Sequence, residues 1–125
     1  MLTRLFLALV GLMFVAFGSW SLTDPLGMTS SLGVDVSGPN GAFEMSGIYG
    51  GVSLGAAMLS LAGAAMPKMA RPALWFLTTY MGGYCFSRAV AWALHGEPTS
   101  DFYAFIAFEA SVLIGALFAL RAVSR

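Results

Sequence analysis

Residues 72 to 94 read PALWFLTTYMGGYCFSRAVAWAL, residues 95 to 101 read HGEPTSD, and residues 102 to 120 read FYAFIAFEASVLIGALFAL. Each outer run is about 20 residues of predominantly apolar chain, enough to carry a helix across a hydrocarbon core of about 30 Å. The segment between them holds Gly96, Pro98, Ser100 and Asp101, residue types that stop one helix and start another. The stretch therefore reads as a helical hairpin through a membrane, with a single charge inside each arm, Arg88 and Glu109. Arg88 lies seven residues before His95, and Glu109 eight residues after Asp101. At 1.5 Å per residue both sit about 10 to 12 Å below the turn, at one level in antiparallel neighbours. A charge facing lipid at that depth costs about 2.5 to 3.5 kcal/mol on insertion scales, so the expected arrangement is an Arg88–Glu109 pair.

Working outward, residues 5–22 and 45–66 have the same character, which predicts spans at 5–22, 45–66, 72–94 and 102–120. The composition agrees. Only 12 of 125 residues are Asp, Glu, Lys or Arg, 58% are hydrophobic, and the mean hydropathy is +0.81. A soluble domain carries about 25% charged residues. The expectation is an all-α integral membrane four-helix bundle forming one transmembrane domain over residues 1–125, with an outer loop at 23–44 that is either ordered against the helices or functional. Pro72 suits the first turn of its helix, and Ser100 or Asp101 suits the cap of the last. The first span, with Arg4 before it and Gly18, Ser19 and Ser21 near its end, also has the outline of a secretory signal. Its apolar stretch is longer than a signal core, and it is read as a retained span.

The net charge is zero, yet the charges are sorted. Arg4, Lys68, Arg71, Arg121 and Arg125 fall at one side of the predicted spans, and Asp24, Asp35, Glu44, Glu97 and Asp101 at the other. Basic residues near span ends are retained in the cytoplasm, so both termini are expected there. No basic cluster exists to neutralise nucleic-acid phosphates. One cysteine, Cys85, and one histidine, His95, provide neither a disulfide nor a metal or haem ligand set. No phosphate-binding glycine loop or nucleophile motif is present, so no catalytic residue and no cofactor is assigned, and a non-enzymatic protein is expected.

Helices in lipid associate through small residues. Gly47, Gly51 and Gly55 form a double GxxxG, with Gly63 on the same four-residue spacing; Gly83 and Ser87 lie on the third span, Ser111 and Gly115 on the fourth. These stripes are compatible with packing inside one chain or with a homodimer. Tyr80, Tyr84, Arg88 and Trp92 share a helix face by the same spacing. An outward cleft lined by Glu44, Tyr49, Ser53, Tyr84, Arg88, His95 and Glu109 follows if the second, third and fourth spans surround it. The Arg88–Glu109 pair is then either a structural clasp or part of a ligand site.

Glu44 before Tyr49-Gly50-Gly51, then Arg88, Gly96, Pro98 and Glu109, together resemble the small bacterial four-span membrane proteins of the domain-of-unknown-function family 4345. The resemblance runs over nearly the whole chain. It implies four helices and singles out Glu44, Tyr49, Arg88 and Glu109; the family looks to have a basic residue between the acid and the tyrosine, where this chain has Ser46. It implies no activity. The expected function is an accessory or amphiphile-binding membrane component whose partners are membrane lipid and, by the small-residue stripes, other membrane subunits or a second copy. The alternative is a small homodimeric transporter or proton-coupled carrier that uses Glu109.

Overall fold

The structure is a computed structural model and describes residues 1–123. All of its regular elements are helical: α1 (Leu2–Thr23), α2 (Pro25–Ser31), α3 (Gly38–Met45), a π-helical turn (Ser46–Gly51), α4 (Val52–Ala65), α5 (Pro67–His95) and α6 (Ser100–Val123). The segment from Gly38 to Ala65 is continuous helix, and together with α1 and α6 it makes three helices long and apolar enough to cross a membrane. The 29 residues of α5 are not among them. Lys68, Arg71 and Arg88, with Thr78, Thr79 and two tyrosines, lower its apolar character. Leu5, Leu9 and Leu12 on α1 and Leu117 and Phe118 on α6 are exposed, a surface that water would penalise and lipid would not.

The tightest interface joins α1 to α4. The residues that α1 buries, Leu7, Val10, Gly11, Phe14, Gly18 and Ser21, recur at the three- and four-residue intervals of one helix face. Leucines and glycines interlock along it in antiparallel register: Leu61 over Gly11, Leu54 over Gly18, Leu22 over Gly50, and Leu7 over Gly63. A Cβ built at any of these glycines would approach the facing leucine to between 2.6 and 3.1 Å, so only glycine admits the approach. The start of α1 is then tied to the end of α4, where Arg4 donates from Nε to the Ala64 carbonyl at 2.6 Å and from Nη2 to the Ala65 carbonyl at 3.3 Å. Those carbonyls have no partner within their own helix, and a cation suits the negative end of the helix dipole.

Several boundaries differ from the sequence expectation. The 23–44 segment is ordered as helix for much of its length. Asp24 caps α2 by accepting from the Gly27 N–H at 3.0 Å, Pro25 occupies the first turn, and Met28 and Thr29 are buried. The second long helix begins at Gly38 instead of residue 45. The third begins at Pro67 instead of residue 72, because Met66 before a proline takes extended backbone and Pro67 fits the first turn; Pro72 lies inside the helix. The last begins at Ser100, so the cap position falls one residue earlier than expected.

The expected stripe of small residues is also turned. Gly47, Gly51, Gly55 and Gly83 have nothing within 4 Å of where a Cβ would stand, and Ser87 and Ser111 are exposed, each bonded only to a carbonyl of its own helix. Four-residue spacing drifts by about 40° per step on a helix of 3.6 residues per turn. Gly63 thus reaches the packed face while Gly51 and Gly55 do not. Gly115 does pack, against the ring of Phe6.

Ring contacts of Phe14 with Phe108 and Phe17 with Phe105, and the seat of Phe6 on Gly115, run in one antiparallel register between α1 and α6. That register brings Arg121 level with the start of α1, so Arg4, Lys68, Arg71 and Arg121 share one end; Arg125 lies outside the described residues. The opposite end is acidic. The dense core of Leu7, Val10, Ala56, Ala57, Ala73, Leu74, Leu77 and Ala116 fills the basic half. The acidic half contains a hollow.

Candidate functional site

The hollow is a cavity of about 260 Å³ bounded by α1, the π turn with α4, α5 and α6. Each wall follows from local sequence. On α5, Phe76, Tyr80, Tyr84 and Arg88 succeed one another at four-residue intervals and form a stack on one helix face. Phe76 lies parallel to Tyr80 at 5.3 Å, Tyr80 meets Tyr84 edge-on at 5.1 Å, and the two hydroxyls are 3.4 Å apart. On the neighbouring segment, the π turn widens the helix by one residue per turn at Ser46–Gly51 and brings Tyr49 edge-on against Phe17 at 6.1 Å, with Ser53 buried one turn further on. Such turns recur at functional positions.

Glu109 closes the cavity from α6 and is 2% exposed. Both of its oxygens are engaged by Arg88: Nε donates to Oε2 at 3.1 Å and Nη2 to Oε1 at 2.8 Å. This side-on bidentate geometry adds a second charge-assisted hydrogen bond and fixes the orientation of the guanidinium–carboxylate pair. The guanidinium carbon sits 4.8 Å from the centre of the Phe102 ring and 5.3 Å from that of Tyr84. The cation is therefore held by two aromatic rings as well as by its counter-ion. The pair is lopsided, since the arginine side chain is 23% exposed and the glutamate side chain 3%.

Beyond the pair, toward the acidic end, a second cavity of about 250 Å³ is lined by Arg88, Trp92, His95, Glu97, Pro98 and Phe102 among others. The ion pair stands between the two spaces, with Glu109 facing the inner one and Arg88 the outer.

Of the residues singled out by sequence, Tyr49, Ser53, Tyr84 and Glu109 line the inner cavity. Arg88 and His95 line the outer one, and Glu44 is exposed and lines neither. The sequence reading missed the wall supplied by α1, Met13, Phe14 and Phe17, and the phenylalanines of α6, Phe105 and Phe108. The signal was there. Phe14 belongs to the buried three-and-four stripe of α1, and Phe105 precedes Glu109, Val112, Ala116 and Leu120 on the buried stripe of α6.

Chemically, the inner cavity offers apolar and aromatic walls, tyrosine hydroxyls and one neutralised acid. Among the described residues no group of three or more His, Cys, Asp or Glu side chains is placed to hold a metal ion. Comparison with curated proteins and with solved structures finds no match. A family model does match residues 2–120, nearly the whole chain, and by it the protein belongs to the family described as domain of unknown function DUF4345.

Proposed function

We propose that the protein is a non-enzymatic component of the bacterial inner membrane that holds a small amphiphile in the inner cavity. In this reading α5 is a fourth span, which makes a four-helix bundle with both termini in the cytoplasm. The exposed Trp75, Phe86 and Val90 on α5 support a lipid-facing surface there, and the basic end of the molecule supports the orientation. The observation that carries the functional reading is an apolar, aromatic-walled cavity that ends on an ion pair whose carboxylate is engaged at both oxygens. Ligand sites have this composition, mostly apolar with a few fixed polar groups. At about 30 Å³ for each water-sized volume, the space holds roughly eight or nine such volumes, the size of a short acyl segment or a single substituted ring.

The carrier alternative asks Glu109 to give up its charge pairing with Arg88 and weaken a bidentate hydrogen-bonded contact each time it takes a proton, which favours the binding reading. The test is native mass spectrometry of the protein purified in mild detergent, with Ser53→Phe as the comparison. The wild type should carry a small molecule near one per chain, and the variant, whose ring fills the cavity, should not. Equal occupancy in the two, or an empty wild type, would refute the reading.

A further inference from the structure

The outer cavity shares only the ion pair with the inner one, and its charges are arranged differently. A guanidinium has five N–H donors, of which Glu109 takes one from Nε and one from Nη2. Three remain, and the described residues offer Nη1 no acceptor. The two rings beside the guanidinium hold it in place, and the carboxylate behind it prevents its retreat. Arg88 therefore presents a fixed set of donors to the outer cavity, suited to an oxyanion. The same cavity carries a carboxylate, Glu97, and an indole, Trp92, whose ring rests on Tyr103 at 6.0 Å. A carboxylate beside an aromatic face is a site for an ammonium group. An anion alone would meet the repulsion of Glu97, and a cation alone that of Arg88. A ligand bearing both charges satisfies both.

We propose that the outer cavity is a separate site for a zwitterionic headgroup of phosphoethanolamine chemistry, with the phosphate against Arg88 and the primary ammonium against Glu97 and Trp92. The inference rests on the reading above only in placing α5 and α6 across the bilayer with the Gly96–Thr99 turn at its surface, where headgroups lie. Glu97 is exposed and bonds to no other described residue, so Glu97→Gln tests the site without disturbing the fold.

The experiment measures lipid retained by purified full-length protein in native mass spectra, after equilibration with equal amounts of dioleoyl phosphatidylethanolamine and dioleoyl phosphatidylglycerol. The wild type should retain the ethanolamine lipid in preference by about fivefold, the ratio that one charge-assisted contact of about 1 kcal/mol supplies. Glu97→Gln should bring that ratio close to one without lowering retention of the glycerol lipid. Displacement by water-soluble phosphoethanolamine would assign the free compound as the source of the headgroup; no displacement, with the preference intact, would assign the lipid. Equal retention of the two lipids by the wild type, or an unchanged ratio in Glu97→Gln, would overturn the proposal. Neither result would touch the inner-cavity reading, whose own readout is the molecule lost in Ser53→Phe.

Discussion

Replacing Gly63 with alanine puts a methyl group 2.7 Å from the Cβ of Ala73, 3.1 Å from Leu7 Cδ1 and 3.2 Å from the Met69 carbonyl oxygen. None of these three can yield cheaply. The alanine Cβ is fixed to its backbone, the carbonyl belongs to the first turn of α5, and Leu7 is fully buried. The helices must separate by several tenths of an ångström, and forced overpacking of this kind costs about 1 to 3 kcal/mol. Against it stands the gain from replacing a helical glycine, about 0.5 to 1 kcal/mol. The net expectation for Gly63→Ala is a loss of about 0.5 to 2 kcal/mol. At Gly51 and Gly55 the same methyl meets nothing within 4 Å, so the gain stands alone. The difference between the two classes of site is therefore about 1 to 3 kcal/mol, more than enough to rank them. Unfolding by sodium dodecyl sulfate from dodecylmaltoside micelles, followed by near-ultraviolet circular dichroism, measures it. If Gly51→Ala or Gly55→Ala proves as destabilising as Gly63→Ala, the outward placement of that stripe is wrong for the protein in micelles, and a second chain must be packed on it.

The ion pair yields an asymmetric double-mutant cycle. Arg88→Met strands a carboxylate that is 2% exposed and should cost about 3 to 5 kcal/mol; Glu109→Leu leaves a guanidinium with two rings and some solvent and should cost less. The double variant should recover most of the loss in the same unfolding assay, and a double variant worse than Arg88→Met would refute the account. Arg4→Ala removes two hydrogen bonds to the end of α4, both from an exposed side chain, and should cost about 0.5 to 1 kcal/mol, read as a lowered thermal midpoint. A large effect there would mean Arg4 has a further partner. Ser60 is fully buried with its hydroxyl unbonded, so Ser60→Ala should stabilise by about 1 kcal/mol, and destabilisation would indicate a bound water or ligand oxygen at that hydroxyl.

The hairpin formed by α5 and α6 was the most legible part of the chain. Counting residues from its turn is enough to put Arg88 and Glu109 at one level, because helical rise is nearly invariant and the turn is short. The segment from 23 to 44 was opaque for the opposite reason: its helices are short, and α2 rests on an Asp24 cap and a proline instead of on a long apolar period. Glycine spacing picked out Gly63 and Gly115, which pack against neighbouring helices, together with Gly47, Gly51 and Gly55, which meet no other helix of this chain. Only the partner helix decides which side of a glycine-rich helix is buried, and the leucines that decide it, Leu7 and Leu22, lie on α1. The inner cavity was half visible. Its charged and tyrosine residues stand out against an apolar background, whereas Phe14, Phe17, Phe105 and Phe108 look like any other membrane-helix residues until four walls are brought together.

The π turn at Ser46–Gly51 has a consequence for how this protein can vary in length. A π turn holds one residue more than the α-helical turn it replaces. Removal of a single residue there would let the turn close in ordinary α form with the helix on either side keeping its phase, whereas the same deletion elsewhere in the helix would rotate everything before it by about 100° about the axis. Only the side chains of the turn itself, Tyr49 on the cavity wall among them, would be re-aimed, and the leucine–glycine contacts at Gly11 and Gly63 would be untouched. The extra residue is thus a length change that the helix absorbs within one turn. It lets the aromatic lining near the acidic end change independently of the packing that holds the basic end together.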